Sequence, residues 1–248
     1  MITLAIIGGT GLTKLDGLTV TRRVTVETPY GNPSAPLIYG SFHDRDVVFL
    51  ARHGEAHTIL PHQINYRANI WALRQAGAHQ ILAASAVGGI HPEFGVGRLI
   101  IPDQIIDYTW SRAHTFFEEE EIMHVDFTEP YCQKLRKILL RAARGGEIQV
   151  WDGGVYGATQ GPRLETAAEI DRLERDGCHM VGMTGMPEAA LARELGLCYA
   201  ASAVVANPAA GRGGGEIRME DIVRSLDKGM EKFRALVKHT LLLLVDAE

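Results

Sequence analysis

The stretch His179–Gly215, HMVGMTGMPEAALARELGLCYAASAVVANPAAGRGGG, decides the reading of this chain. It opens on an apolar run, Met180–Met183, as continuous as a strand covered on both faces requires. Thr184-Gly185-Met186-Pro187 follows, and Pro187–Leu195 reads as a helix with proline in its first turn and Gly196 as its stop. A second strand, Leu197–Ala206, ends at Asn207-Pro208. Strand–helix–strand units set polar residues at the carboxyl ends of parallel strands, where open α/β sheets bind ligands. The spacing therefore puts a site at Thr184 and Asn207.

Working outward, the same logic recurs. Ile2–Ile7 is a buried strand running into Gly8-Gly9-Thr10-Gly11, a turn whose amides and Thr10 hydroxyl suit an anion. It is neither a full dinucleotide fingerprint nor a Walker loop, so a plain turn remains open. Val20–Val26 and Leu37–Tyr39 read as strands, and Val47–Leu50 delivers Arg52-His53-Gly54. Arg offers forked donors to an oxyanion and His one more. His53 and His57 have the i,i+4 spacing of a metal pair, but no third ligand is suitably spaced, and no metal is expected. Gln80–Ala84 is a strand ending at Ser85-Ala86-Val87-Gly88-Gly89.

Pro61–Ala76, Pro130–Arg144, Thr166–Asp176 and Met219–Val245 have helical periodicity; Leu99–Ile101, Gln104–Asp107 and Ile148–Val150 read as strands. Gly153–Arg163 is glycine-rich and leads to Glu165, a charge that would favour a helix start through the dipole. His114–Asp126, with its acidic run Glu118–Glu121, reads as a solvated loop or lid. With no repeat or linker, residues 1–248 read as a single α/β domain.

Composition excludes several classes. With 46% hydrophobic and 22% charged residues the chain is ordinary globular material. A net charge of −5 and dispersed basic residues argue against a nucleic-acid partner. Leu241–Val245, the longest apolar run near the C-terminus, is too short to cross a membrane. Cys132, Cys178 and Cys198, odd in number and widely spaced, fit reduced thiols and a cytoplasmic protein.

The segments IIGGTGL, FLARHGEAHTILP, NYRANIWAL, QGPRLET and GMTGMPEAALARELG together resemble the trimeric purine nucleoside phosphorylases, and most closely their methylthioadenosine phosphorylase branch. The resemblance runs from Ile6 to about Leu244. It implies a twisted, barrel-like mixed sheet flanked by helices, a homotrimer, and phosphorolysis of a nucleoside with orthophosphate as co-substrate and no other cofactor. Carried over by position, it implies a phosphate site at Thr10, Arg52, His53, Ser85, the Ala86 amide and Thr184. It likewise implies a ribose contact at Met183, a base loop at Asn207-Pro208-Ala209, and a reach by His124 into a neighbouring subunit's 5′ pocket.

Two departures from the branch sharpen the expectation. Its base loop resembles Asp-x-Asp, which suits the amino donors of adenine; here Asn207 and Ala209 stand in those positions. Glu165 falls where adenine-directed members carry a small serine. A 6-oxopurine needs an acceptor for N1–H and a donor for O6, and Glu165 and Asn207 supply that pair. At the 5′ end, Met219 replaces the histidine of ordinary purine nucleoside phosphorylases, with Ile222 one turn on. A thioether and a branched aliphatic suit a methylthio group better than a hydroxyl. The expected substrate is a 5′-methylthio nucleoside of a 6-oxopurine.

Overall fold

In the first strand, β1 (Leu4–Gly8), every residue is buried, as its continuous hydrophobicity requires of a central parallel strand. A computed structural model describes residues 4–9, 12, 15–117, 123–215 and 219–245 of the chain. β2 (Thr19–Val24), β3 (Leu37–Phe42) and β4 (Arg45–Ala51) form an antiparallel meander that brings β4 parallel to β1. β5 (Gln80–Gly89) lies on the other side of β1, also parallel. The remaining strands are β6 (Leu99–Ile101), β7 (Gln104–Asp107), β8 (Val150–Asp152), β9 (Val155–Ala158), β10 (Met180–Gly182) and β11 (Cys198–Pro208). Among the described residues they form one mixed sheet, β2-β3-β4-β1-β5-β10-β9-β7, from which β11, β6 and β8 branch at β5. The helices are α1 (Tyr66–Gln75), α2 (Gln133–Gly145), α3 (Ala167–Arg175), α4 (Gly185–Glu194) and α5 (Met219–Val245). The mixed sheet flanked by helices is the expected α/β architecture.

The branch at β5 creates the site. β11 pairs with β5 along its whole length, from Cys198 opposite Gln80 to Pro208 opposite Gly89. β5's other edge is shared: β1 ends its pairing at Ile7 opposite Ala83, and β10 begins only at Val181 opposite Gly88. Between them, no strand among the described residues pairs with residues 84–87 on that edge. A sheet edge without a partner exposes backbone donors and acceptors, and here the gap is internal to the sheet. Gly8 and Gly9 border it from β1, Gly182 and Met183 from β10.

Several boundaries differ from the sequence expectation. Ser85 lies inside β5 rather than past its end, because β11 holds the strand extended to Gly89. β10 is parallel to β9 but antiparallel to β5, so Thr184 and Asn207 arrive from opposite directions instead of from parallel neighbours. The expected helix Pro61–Ala76 is a 3-10 turn, Pro61–Gln63, followed by α1; the Asn65 side chain caps α1 by accepting from the Ala68 amide at 3.1 Å. β9 arises in the run expected to be a glycine-rich loop, since Gly153 and Gly154 take positive φ and turn the chain back onto the sheet. Glu165 precedes α3; Thr166 is the cap, in a capping box with Glu169.

The expectation of three reduced cysteines is also corrected. Cys132, at the N-cap of α2, and Cys198, the first residue of β11, form a disulfide with Cα atoms 5.1 Å apart, leaving Cys178 as a buried thiol. They are 66 residues apart, and only the docking of α2 beside β11 brings them together.

α5 shows how packing overrules local preference. Its buried residues Ile222, Leu226, Met230, Phe233, Leu236, Val237 and Leu241 recur at helical spacing and face β11 and α2. Gly229 sits inside this helix, where glycine costs about 1 kcal/mol relative to alanine. A Cβ there would lie 2.1 Å from Val204 Cγ1 on β11. Relieving that overlap costs typically about 1–3 kcal/mol in a packed core. Gly229→Ala is therefore expected to destabilise despite its better helix propensity, lowering Tm by several degrees in a thermal unfolding scan.

Candidate active site

The gap in the sheet opens into a cleft of about 310 Å³. Of the residues expected from the sequence, Arg52, His53, Ser85, Ala86, Glu165, Met183, Thr184, Asn207, Ala209 and Ile222 line it. Gly9 and Gly88 contribute backbone, and His57, Leu60, Pro162, Leu164 and Val181 are among the other residues of the wall. Pro208 ends β11 on the exposed side and does not line the cleft. His124 is exposed and likewise stands outside the cleft of its own chain. Thr10, the acidic run from Glu118 to Glu121 and the Met219 side chain lie outside the described residues.

Arg52 follows β4 and is only 1% exposed. A guanidinium this deep requires a counter-charge, and Glu188 of α4, itself fully buried, accepts from its Nε at 2.7 Å and Nη2 at 2.8 Å. Its Nη1 donates to the Ala84 carbonyl at 2.8 Å, inside the strand gap, and the Tyr199 hydroxyl donates to Glu188 at 2.8 Å. Burial works against the charge, but the attraction and hydrogen bonds of Glu188 outweigh it and raise the Arg52 pKa above its ordinary value. The arginine fork expected to face an anion is thus turned onto Glu188, and only its remaining hydrogens are left for a ligand. Gly9 is fixed by the same arrangement: a Cβ there would lie 2.8 Å from Arg52 Nη1 and 2.6 Å from the Ala84 oxygen.

His53 corrects the expectation of a further donor. Its Nδ1 lies 2.8 Å from the Ile59 carbonyl, which can only accept, so Nδ1 carries the hydrogen. Burial, reinforced by Arg52 and His57, lowers its pKa to about 4 although the Ile59 bond opposes the shift. The ring is neutral near pH 7, and Nε2 is an acceptor.

Thr184 is the N-cap of α4, but its side chain makes no capping bond and lines the cleft instead. Met183, just before it, packs against Gly161, where a Cβ would stand 2.4 Å from the Met183 sulfur. Asn207 is half-buried at the end of β11; its Nδ2 donates to the Pro208 carbonyl at 2.7 Å, leaving Oδ1 and the second Nδ2 hydrogen unengaged by that bond. Glu165 accepts from the Thr159 hydroxyl at 2.6 Å.

Two supporting residues escaped the sequence reading. Glu188 stood in a run that reads as an ordinary helix start, where a glutamate signals only a favourable dipole. Arg112, between the expected strand Gln104–Asp107 and the expected loop His114–Asp126 and assigned to neither, is 7% exposed. It donates to the carbonyls of Met183 at 2.8 Å, Met186 at 2.6 Å and Gln160 at 2.9 Å, and to the Gln160 side chain at 3.1 Å. It therefore ties the end of β10, the start of α4 and the segment leading to Glu165. No sequence spacing announces either role.

Residues 3–242 match the family model of the phosphorylase superfamily. The chain is 55% identical over 243 residues to a probable S-methyl-5′-thioinosine phosphorylase of Pseudomonas syringae pv. tomato, covering 97% of this chain and 99% of the relative. It is 46% identical over 241 residues to the 6-oxopurine nucleoside phosphorylase of Pyrococcus furiosus, covering 94% of this chain and 90% of that one. Among solved structures, methylthioadenosine phosphorylase from Schistosoma mansoni in complex with adenine superposes with a TM-score of 0.94 at 30% identity, over 100% of this chain and 93% of the other. The chain belongs to the phosphorylase superfamily.

Two outcomes test the geometry. Removing the carboxylate while the guanidinium stays buried costs typically about 3–5 kcal/mol, so Glu188→Leu should be strongly destabilised in urea unfolding. The double variant Arg52→Met with Glu188→Leu should recover much of that loss. For His53, the unfolded ring takes a proton near its ordinary 6.5 and the folded ring only near 4. Stability should therefore fall as pH drops from about 6.5 to 4, by at most about 3 kcal/mol from this residue. His53→Asn, which keeps a donor for Ile59, should flatten that part of a stability-versus-pH curve.

Proposed function

We propose that this protein catalyses the phosphorolysis of S-methyl-5′-thioinosine to hypoxanthine and 5-methylthioribose 1-phosphate. The observation that carries the reading is the joint presence of Glu165 and Asn207 in the wall of a cleft that Arg52, His53, Ser85 and Thr184 also line. Glu165 accepts N1–H of the base; Asn207 donates to O6 and accepts from N7 once it is protonated. An adenine would turn its N1 lone pair toward the carboxylate. Ile222 lines the same cleft and, with Met219 at the start of α5, gives the methylthio group an apolar neighbourhood.

Orthophosphate is the co-substrate, bound by Thr10, the Arg52 hydrogens left free by Glu188 and Ala84, Ser85, the Ala86 amide and Thr184. Neutral His53 receives the P–OH of hydrogen phosphate on Nε2. A phosphate oxygen bonds to C1′ as the N-glycosidic bond breaks, its electron pair passes into the purine, and N7 takes a proton from solvent. The phosphate's charge faces the cationic sugar, so positioning and electrostatics carry the rate, with no covalent enzyme intermediate and no metal or organic cofactor.

The whole of residues 1–248 acts as one nucleoside phosphorylase domain, and it works as a cytoplasmic homotrimer. In that trimer His124, exposed and not lining its own cleft, reaches the 5′ end of a neighbour's substrate. The compartment is read from the nucleoside and orthophosphate co-substrates and not from reduced cysteines, since Cys132 and Cys198 are bridged.

Base release from S-methyl-5′-thioinosine, S-methyl-5′-thioadenosine and inosine, each with and without phosphate, tests the reading. Phosphate-dependent release should be fastest from S-methyl-5′-thioinosine. A preference for the adenine nucleoside would overturn the role of Glu165 and Asn207, and a preference for inosine that of the apolar 5′ pocket. Asn207→Asp should cut the ratio of oxopurine to adenine turnover by about 10²-fold or more, because a buried polar group is then mispaired.

A further inference from the structure

Glu165 has two places to go. It lines the cleft, and it also lines an outer pocket of about 480 Å³ shared with Arg163, Arg172, Tyr108 and the 66% exposed Trp110. A half-buried carboxylate on a segment between two cavities is not held by its own backbone. Outward lies Arg163, whose pKa is raised chiefly by Glu169, with Glu165 contributing a smaller attraction. In the conformation that lines the cleft, Glu165 Oε1 accepts from the Thr159 hydroxyl at 2.6 Å, and Thr159 itself lines the outer pocket.

Thr159 is itself firmly placed. It follows β9, and its amide donates to the Gly182 carbonyl at 2.8 Å. The hydroxyl lies 3.3 Å from the same carbonyl, but it has one hydrogen to give. A charged acceptor at 2.6 Å outcompetes a neutral one at 3.3 Å, so the hydrogen goes to Glu165. Arg163 is meanwhile engaged by both oxygens of Glu169, at 2.8 and 2.7 Å, which weakens its outward pull.

We propose that Thr159 is the positioning residue that holds Glu165 at the cleft wall, and through it a determinant of the preference for 6-oxopurine over 6-aminopurine nucleosides. This rests on the base-recognition reading of Glu165. Without the hydroxyl the carboxylate swings toward Arg163, and N1–H of the oxopurine loses its acceptor. An adenine nucleoside, which draws nothing from that carboxylate, is little affected. A valine in place of Thr159 keeps the side-chain shape and removes only the hydrogen-bonding group.

The experiment measures kcat and KM for S-methyl-5′-thioinosine and S-methyl-5′-thioadenosine with Thr159→Val, Thr159→Ser and Glu165→Ala. In Thr159→Val, kcat/KM for the oxopurine should fall about tenfold, the worth of one hydrogen bond to a charged group, with the adenine nucleoside nearly unchanged. Thr159→Ser should restore most of the ratio. An equal loss on both substrates in Thr159→Val would make the residue merely structural and overturn the proposal. An unchanged ratio in Thr159→Val alongside an altered one in Glu165→Ala would overturn the role of Thr159 and leave base recognition standing. An unchanged ratio in Glu165→Ala would bring down the base-recognition reading, and Thr159 with it.

Discussion

The buried pair of Arg52 and Glu188 is the constraint on which the rest of the structure depends. A guanidinium and a carboxylate, both removed from water, are tolerable only in near-ideal geometry with their remaining hydrogen-bonding groups satisfied. Here the two-point contact, the Ala84 carbonyl and the Tyr199 hydroxyl engage both carboxylate oxygens and Nε, Nη1 and Nη2 of the guanidinium, leaving only its remaining hydrogens open. These partners come from the end of β4, from β5, from α4 and from β11. One electrostatic requirement therefore fixes the relative placement of four elements around the cleft. It also fixes Gly9, since no side chain fits between Arg52 and β5.

The cleft is a consequence of sheet topology more than of any single loop. β5 serves β11 along one edge and divides the other between β1 and β10, leaving a stretch of central strand without a neighbour. Ordinary edge strands must be covered or blunted. This one is flanked by backbone that crowds too closely for side chains, with Arg52 reaching in to the Ala84 carbonyl. Arg112 performs the corresponding service from outside, gathering carbonyls of the segments that carry Met183, Thr184 and Glu165. One arginine ties β4, β5, α4 and β11 together, and the other ties the segments that carry Met183, Thr184 and Glu165.

Several chemical roles changed sign once partners were known. His53 is a donor by residue type, yet a carbonyl at Nδ1 and burial together make Nε2 an acceptor. Glu165 can be read as a helix-start charge, but the capping role belongs to Thr166 and Glu169, and Glu165 lines the cleft. The odd number and wide spacing of the cysteines pointed to free thiols, whereas the bridge between Cys132 and Cys198 depends on two elements meeting across a large part of the chain.

The amino-acid sequence by itself determined the α/β class, nearly all the helices and strands, and the residue types gathered at the cleft, because hydrophobic period, proline and glycine punctuation and polar residues at strand ends are local signals. Arg52, Ser85, Thr184 and Asn207 were legible on that ground. The tertiary structure decided what no local signal encodes. β10 runs against β5, Ser85 sits within its strand, Glu188 and Arg112 are structural ions and not surface charges, and Thr159 meets Glu165. The physical reason is the same in each case: a polar group's role is set by which partners burial forces upon it, and those partners come from distant parts of the chain.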